Sequence, residues 1–224
     1  MDKRHIEIDI LRTIAILGMI IYHTAFDLAA FYSWDIDVLH TGWRMFARST
    51  AILFLVLVGI SFVLSWQRTP NYKKQLRRAA IILGSAMLIT IVTYIALEDQ
   101  YVRFGILHLI GTAALLLPFF TPLKNWNVLA GLLLIGAGMF VPPPGFHSVD
   151  YFNPLPWLGV ILIGMAIGEV MYVRREKPSK KKKKVSHTKL PLWTLPGRYS
   201  LWIYLLHQPI IITLLWILLG PWQS

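Results

Sequence analysis

Long apolar runs separated by short polar stretches recur along the whole chain. After a polar, basic start at Met1 to Glu7, they lie at about Ile8 to Phe31, Ala47 to Trp66, Ala79 to Leu97, Gly105 to Thr121, Val128 to Val141, Trp157 to Val173 and Ser200 to Leu219. A helix rises about 1.5 Å per residue, so roughly 20 apolar residues cross the hydrocarbon core of a bilayer. The pattern predicts an all-α polytopic membrane helix bundle of about seven transmembrane helices. The fifth run, at about 14 residues, is a short span or a re-entrant segment. The first run is too long for a signal-peptide core and has no small-residue cleavage site, so it is expected to be retained.

Composition agrees with this solvent: 56% of the 224 residues are hydrophobic and 15% charged, with mean hydropathy +0.57. Nine Trp, eleven Phe and nine Tyr suit membrane–water interfaces. The net charge of +11 would suggest nucleic acid in a soluble chain, but here the charges lie in loops, and no nucleic-acid partner is expected. Nineteen of the 22 Lys and Arg fall in alternate loops, and only Arg44, Arg48 and Arg103 lie on the other side. Positive loops stay in the cytoplasm, so the N-terminus is placed inside and the C-terminus outside a plasma membrane. The chain reads as a single domain over 1–224, with a basic cytoplasmic linker at about 174–198. Its Lys180 to Lys184 run is read as a topology signal that also attracts anionic lipid.

Without cysteine there is no disulfide, no thiolate zinc site and no thiol nucleophile, so covalent chemistry falls to His, Ser, Thr, Tyr or a carboxylate. No two of the seven histidines sit at ligand spacing on one helix, and no metal site is expected. Ionisable groups in hydrocarbon are costly, which makes them functional candidates. They are Arg12, His23 and Asp27 in the first run, His108 in the fourth, Glu169 in the sixth and His207 in the last, with Arg48 at the outer start of the second.

His23 and Asp27 share one helical face, where a carboxylate can orient an imidazole for base chemistry. The competing reading is an interhelical hydrogen bond. His23 lies eleven residues beyond Arg12, about 16 Å deeper along a helix. His207 precedes Gln208 and Pro209, and the proline predicts a broken, polar-lined helix at a cavity wall. His207 and His108 are open between substrate contact and interhelical bonding. Gly164 and Gly168 form a small-xxx-small pair expected to pack helices. If a proton relay is intended instead of catalysis, His23, Asp27 and His207 would serve a small transporter or flippase.

The stretch from Asp9 to His23, with Arg12, ten residues and then His23, resembles the opening helix of the transmembrane acyltransferases. Phe54 to Ser61, Arg103 to His108, Pro156 to Gly159 and Gly197 to Pro209 resemble, in order, the remaining blocks of a bacterial family similar to the catalytic domain of heparan-alpha-glucosaminide N-acetyltransferase. The similarity runs from about residue 5 to 215. It implies an enzyme that moves an acyl group, usually acetyl from cytoplasmic acetyl-CoA, to an amine or hydroxyl of a sugar on the far side, and it is compatible with a homodimer. The wider acyltransferase pattern puts the catalytic base at His23, oriented by Asp27; the lysosomal relative puts it in the loop before the second helix, where His40 stands. Arg48, Ser61 and His207 are candidates for the thioester oxygen, His108 is a further substrate-binding candidate, and Arg12, Arg77 and Arg78 are candidates for the CoA phosphates.

Overall fold

The computed structural model describes residues 5–38, 40–142, 145–146, 148–173 and 195–221, and the Lys180 to Lys184 run lies outside them. Its helices are α1 (Ile6–Tyr32), α2 (Thr41–Arg68), α3 (Tyr72–Leu97), α4 (Ile106–Phe120), α5 (Asn127–Gly138), α6 (Pro154–Gly168), α7 (Leu195–Arg198) and α8 (Ser200–Leu219). Helix ends follow local chemistry. Asn71 accepts from the Lys74 amide at 3.2 Å to start α3, and Asn153 accepts from Leu155 at 3.3 Å, with Pro154 at the first position of α6. α1 stops where Ser33 turns left-handed at φ 53° and the Trp34 amide reaches back to Leu28 O at 3.2 Å.

The chain packs as two compact units whose boundary falls within α2, after Phe54. In the first, α1 and α8 run parallel: Gly197 N–H donates to Thr13 Oγ1 at 3.2 Å near the start of both, and Tyr32 Oη donates to Gly220 O at 3.1 Å at their far ends. The Thr13 hydroxyl passes its own hydrogen to Asp9 O at 2.9 Å, so the short α7 is seated on the first turns of α1.

The second unit holds the rest of α2 with α3 to α6. Small residues let its helices touch at backbone distance, the packing mode that works without a hydrophobic drive in lipid. A Cβ on Gly59 would run into Ile161 O and one on Gly164 into Val56 O, while Gly131 and Gly159 face each other across α5 and α6. Gly168 lies against Ile60, so the Gly164–Gly168 pair packs helices as its spacing implies. Leu55, Leu57, Ile161 and Leu162 fill this seam and are all at most 1% exposed.

α4 and α6 begin side by side, where Phe152 N–H donates to Phe104 O at 2.9 Å, and their far ends share a small cavity lined by Thr121, Lys124, Asn127, Met165 and Glu169. They are therefore parallel, whereas α5 is antiparallel to α6, with Gly138 against Pro156 and Gly131 against Gly159. The chain reverses between α4 and α5 at Lys124, whose φ of 47° and ψ of −116° break the helix.

Among the described residues, six stretches are long and apolar enough to cross a membrane. The fourth, Ile106–Gly138, is this doubled-back pair. α5 has 12 residues and rises about 18 Å, less than the hydrocarbon thickness, as the shortness of the fifth apolar run anticipates.

Candidate active site

In the first unit, α1 carries His23 and Asp27 on the face that meets α8, and α8 carries His207 and Gln208. The His23 and His207 rings lie 4.9 Å apart, inclined by 59°. Asp27, fully buried, accepts the Gln208 amide on both oxygens, at 2.8 and 2.9 Å. Its partner is thus Gln208 and not His23. A buried carboxylate requires N–H donors, and the facing helix brings one directly, which leaves His23 turned toward His207 and edge-on to Tyr22.

His207 Nδ1 sits 2.6 Å from Tyr204 O. A carbonyl only accepts, so Nδ1 carries the proton and the neutral ring keeps its lone pair on Nε2. That atom is buried and without a partner among the described residues, and so is Gln208 Oε1. Consecutive residues of α8 thus each carry a buried acceptor without a donor, one of them on the ring that faces His23. A turn further along the same seam, Phe31, Tyr32, Ile212, Thr213, Leu215 and Trp216 line a cavity of about 160 Å³. α8 continues through Pro209 unbroken, contrary to the break that proline predicts. The Thr213 hydroxyl donates to Pro209 O at 2.7 Å, one of the side-chain bonds by which membrane helices tolerate proline.

The other candidates are divided between the units. His40, immediately before α2, is exposed, and its Nδ1 accepts from the Gly42 amide at 3.3 Å, a helix-capping role. Arg48 is exposed on α2 in the same unit. Arg12 is also there, 3.6 Å from Asp9. Arg77 and Arg78 are exposed near the start of α3, in the second unit. Ser61, in α2, gives its hydrogen to Leu57 O.

His108 has both ring nitrogens engaged. Thr90 donates to Val102 O at 2.7 Å, so it accepts from Nε2–H of His108 at 3.3 Å, while Nδ1 accepts from Gly105 N–H at 3.2 Å. His108 therefore ties α3 to the start of α4 and has no lone pair to offer a substrate. Beside it, Asp150 accepts from the Ile106 amide at 3.4 Å, and burial pushes its carboxyl up to about 6 against that bond's opposing pull.

Gln208 is the functional side chain that spacing alone missed. Its signal was present, as an amide at membrane depth next to a histidine, since polar side chains in spans are there to bond other helices. Among curated proteins and solved structures none matches the chain. The family model described as heparan-alpha-glucosaminide N-acetyltransferase, catalytic, matches residues 4–209, which takes in α1, the α1–α2 loop with His40, and α8 as far as Pro209. The chain belongs to the family of the heparan-alpha-glucosaminide N-acetyltransferase catalytic domain and is an acyltransferase-like membrane protein.

Proposed function

We propose that the protein moves an acetyl or other acyl group from the corresponding cytoplasmic acyl-CoA, acetyl-CoA in the first instance, to an amine or hydroxyl of a sugar on the outer side of the plasma membrane. The observation that carries this reading is the buried, unpartnered His207 Nε2 on a ring 4.9 Å from that of His23, with a second unpartnered acceptor, Gln208 Oε1, on the next residue of α8. An attacking amine or hydroxyl brings the hydrogens these atoms lack. His207 Nε2 takes the proton as the acceptor atom bonds to the thioester carbon; the C–S bond then breaks and CoA leaves as thiolate, taking the proton back from the imidazolium. Base catalysis of this kind contributes about 10² to 10⁴-fold. His23, against the ring of His207, shares the proton or carries the acyl group in a two-step variant. Asp27, held by Gln208, balances the imidazolium.

His23 is favoured over His40, whose Nδ1 is engaged in capping and whose ring is exposed. Of the oxyanion candidates, Arg48 belongs to the unit of His23 and His207, whereas the Ser61 hydroxyl has its hydrogen committed to Leu57 O. Arg12, in the same unit as the histidine cluster, is the cationic side chain this reading assigns to the CoA phosphates, and a homodimer in lipid is the assembly it carries with it. A second reading, a proton-coupled transporter or flippase, draws on the same His23–His207 contact as a relay.

Release of free CoA thiol from acetyl-CoA by the detergent-solubilised protein, with and without glucosamine, separates them. Glucosamine-stimulated release is expected in the wild type and in His40→Ala, and a fall of about 10²-fold or more in His23→Ala and His207→Ala. No release from folded wild type, with ion-coupled flux in vesicles, gives the relay instead.

A further inference from the structure

Outside the histidine cluster, one charged side chain is built into a site of its own. Arg103, in the turn before α4, lies with its guanidinium 4.3 Å from the Tyr101 ring centre and 4.9 Å from that of Phe146. Both rings are braced in turn, Tyr101 edge-on to Tyr94 at 5.2 Å and Phe146 edge-on to Tyr151 at 5.5 Å. The backbone around them is pinned: Ser148 Oγ accepts from Arg103 N–H at 3.3 Å and bonds Tyr101 O at 2.9 Å, and Val149 N–H reaches Gln100 O at 3.0 Å. Such a flat cation held between rings has lost its rotamer freedom before any ligand arrives.

Only one edge of the guanidinium is used. Nη1 donates to Tyr101 Oη at 2.9 Å, whereas the buried Nε–H has no partner among the described residues. Nε–H and Nη2–H point the same way and form the fork that grips two oxygens of a carboxylate or phosphate. No carboxylate among the described residues forms an ion pair with it: Asp150 turns its oxygen to the Ile106 amide, and Glu98 and Asp99 are exposed on the preceding turn. Arg103 stands three residues before a stretch long and apolar enough to cross a membrane, among aromatic rings of the kind that favour the headgroup region.

We propose that Arg103 is an oxyanion receptor whose fork takes the phosphate of an anionic lipid headgroup, with Tyr101 and Phe146 fixing its plane. The site is independent of the acyl-transfer reading.

The test is the thermal unfolding midpoint of the full chain in detergent, titrated with short-chain phosphatidylglycerol, with a phosphate-free short-chain diacylglycerol, and with inorganic phosphate. Phosphatidylglycerol is expected to raise the midpoint and the phosphate-free lipid not to. Half-saturation should need about tenfold or more lipid in Arg103→Gln, with Arg103→Lys intermediate because it keeps the charge and loses the fork. A rise with inorganic phosphate alone that lipid does not improve keeps the receptor and makes its ligand soluble phosphate. An equal rise with the phosphate-free lipid, no rise at all, or unchanged half-saturation in Arg103→Lys and Arg103→Gln overturns the proposal; should Arg103→Gln not fold, Arg103→Lys decides.

Discussion

At the scale of single residues, the Asp27–Gln208 bond is the contact whose loss is easiest to read. Asp27 is fully buried and its donor comes from the other helix. Replacing Gln208 with Leu strands the acid, at a cost of about 1–3 kcal/mol or more, while removing both partners costs far less. The thermal midpoint should therefore fall in Gln208→Leu and recover in Asp27→Leu/Gln208→Leu; an unchanged midpoint in the single variant would mean that the bond carries no stability. Asp150 gives a second, pH-dependent handle. Its carboxyl titrates at about 6 in the fold against 3.8 ordinarily, so the folded protein holds the proton more tightly. The stability it contributes is complete below about pH 4 and is lost as the pH rises through 6. Asp150→Asn, which retains an acceptor for the Ile106 amide, should flatten this part of the wild-type midpoint-versus-pH curve, and parallel curves would place the dependence elsewhere.

The helices owe their packing to glycines at a few chosen positions. A side chain at Gly164 would meet the Val56 backbone, with Val56 Cα only 2.8 Å from the new Cβ, so Gly164→Leu must drive α2 and α6 apart. Overpacking of this kind costs about 1–3 kcal/mol. Gly136, on α5, has open space at the same position, and Gly136→Ala should be tolerated or slightly stabilising, since glycine weakens a helix interior by roughly 0.5–1 kcal/mol. Unfolding midpoints of the two variants check both halves of the argument, and a tolerant Gly164 would sink it. These elements also mark how far sequence alone reaches. Apolar run length located every long helix, and the Gly164–Gly168 spacing identified a packing face, because both depend on local pattern. The partner of Asp27 did not follow from the His23–Asp27 spacing, because α8 lies some 180 residues away in the chain and a four-residue repeat carries no information about it. His108 was likewise undecidable until Thr90 and Gly105 supplied the hydrogens that fix its tautomer.

Across the whole molecule, the sidedness of the chain is read from the distribution of Lys and Arg, and under the proposed function it decides which end of the histidine cluster the acyl donor would meet. The structure fixes relative directions within each unit, such as α1 parallel to α8 and α5 antiparallel to α6, but those relations survive inversion of the entire protein across the bilayer. Charge breaks the symmetry, since cationic loops resist translocation. The absence of cysteine makes this directly measurable, because any introduced thiol is the only one in the chain. Asp35, in the exposed turn between α1 and α2, and Lys73, in the exposed first turn of α3, lie at opposite ends of α2. In intact cells, an impermeant maleimide should label Asp35→Cys and leave Lys73→Cys unlabelled until the membrane is opened. The reverse pattern would put the basic turns outside, and the cytoplasmic acyl-CoA of the proposed reaction would then have to approach His23 and His207 from the end of the α1–α8 seam where Tyr32 and Trp216 line the cavity.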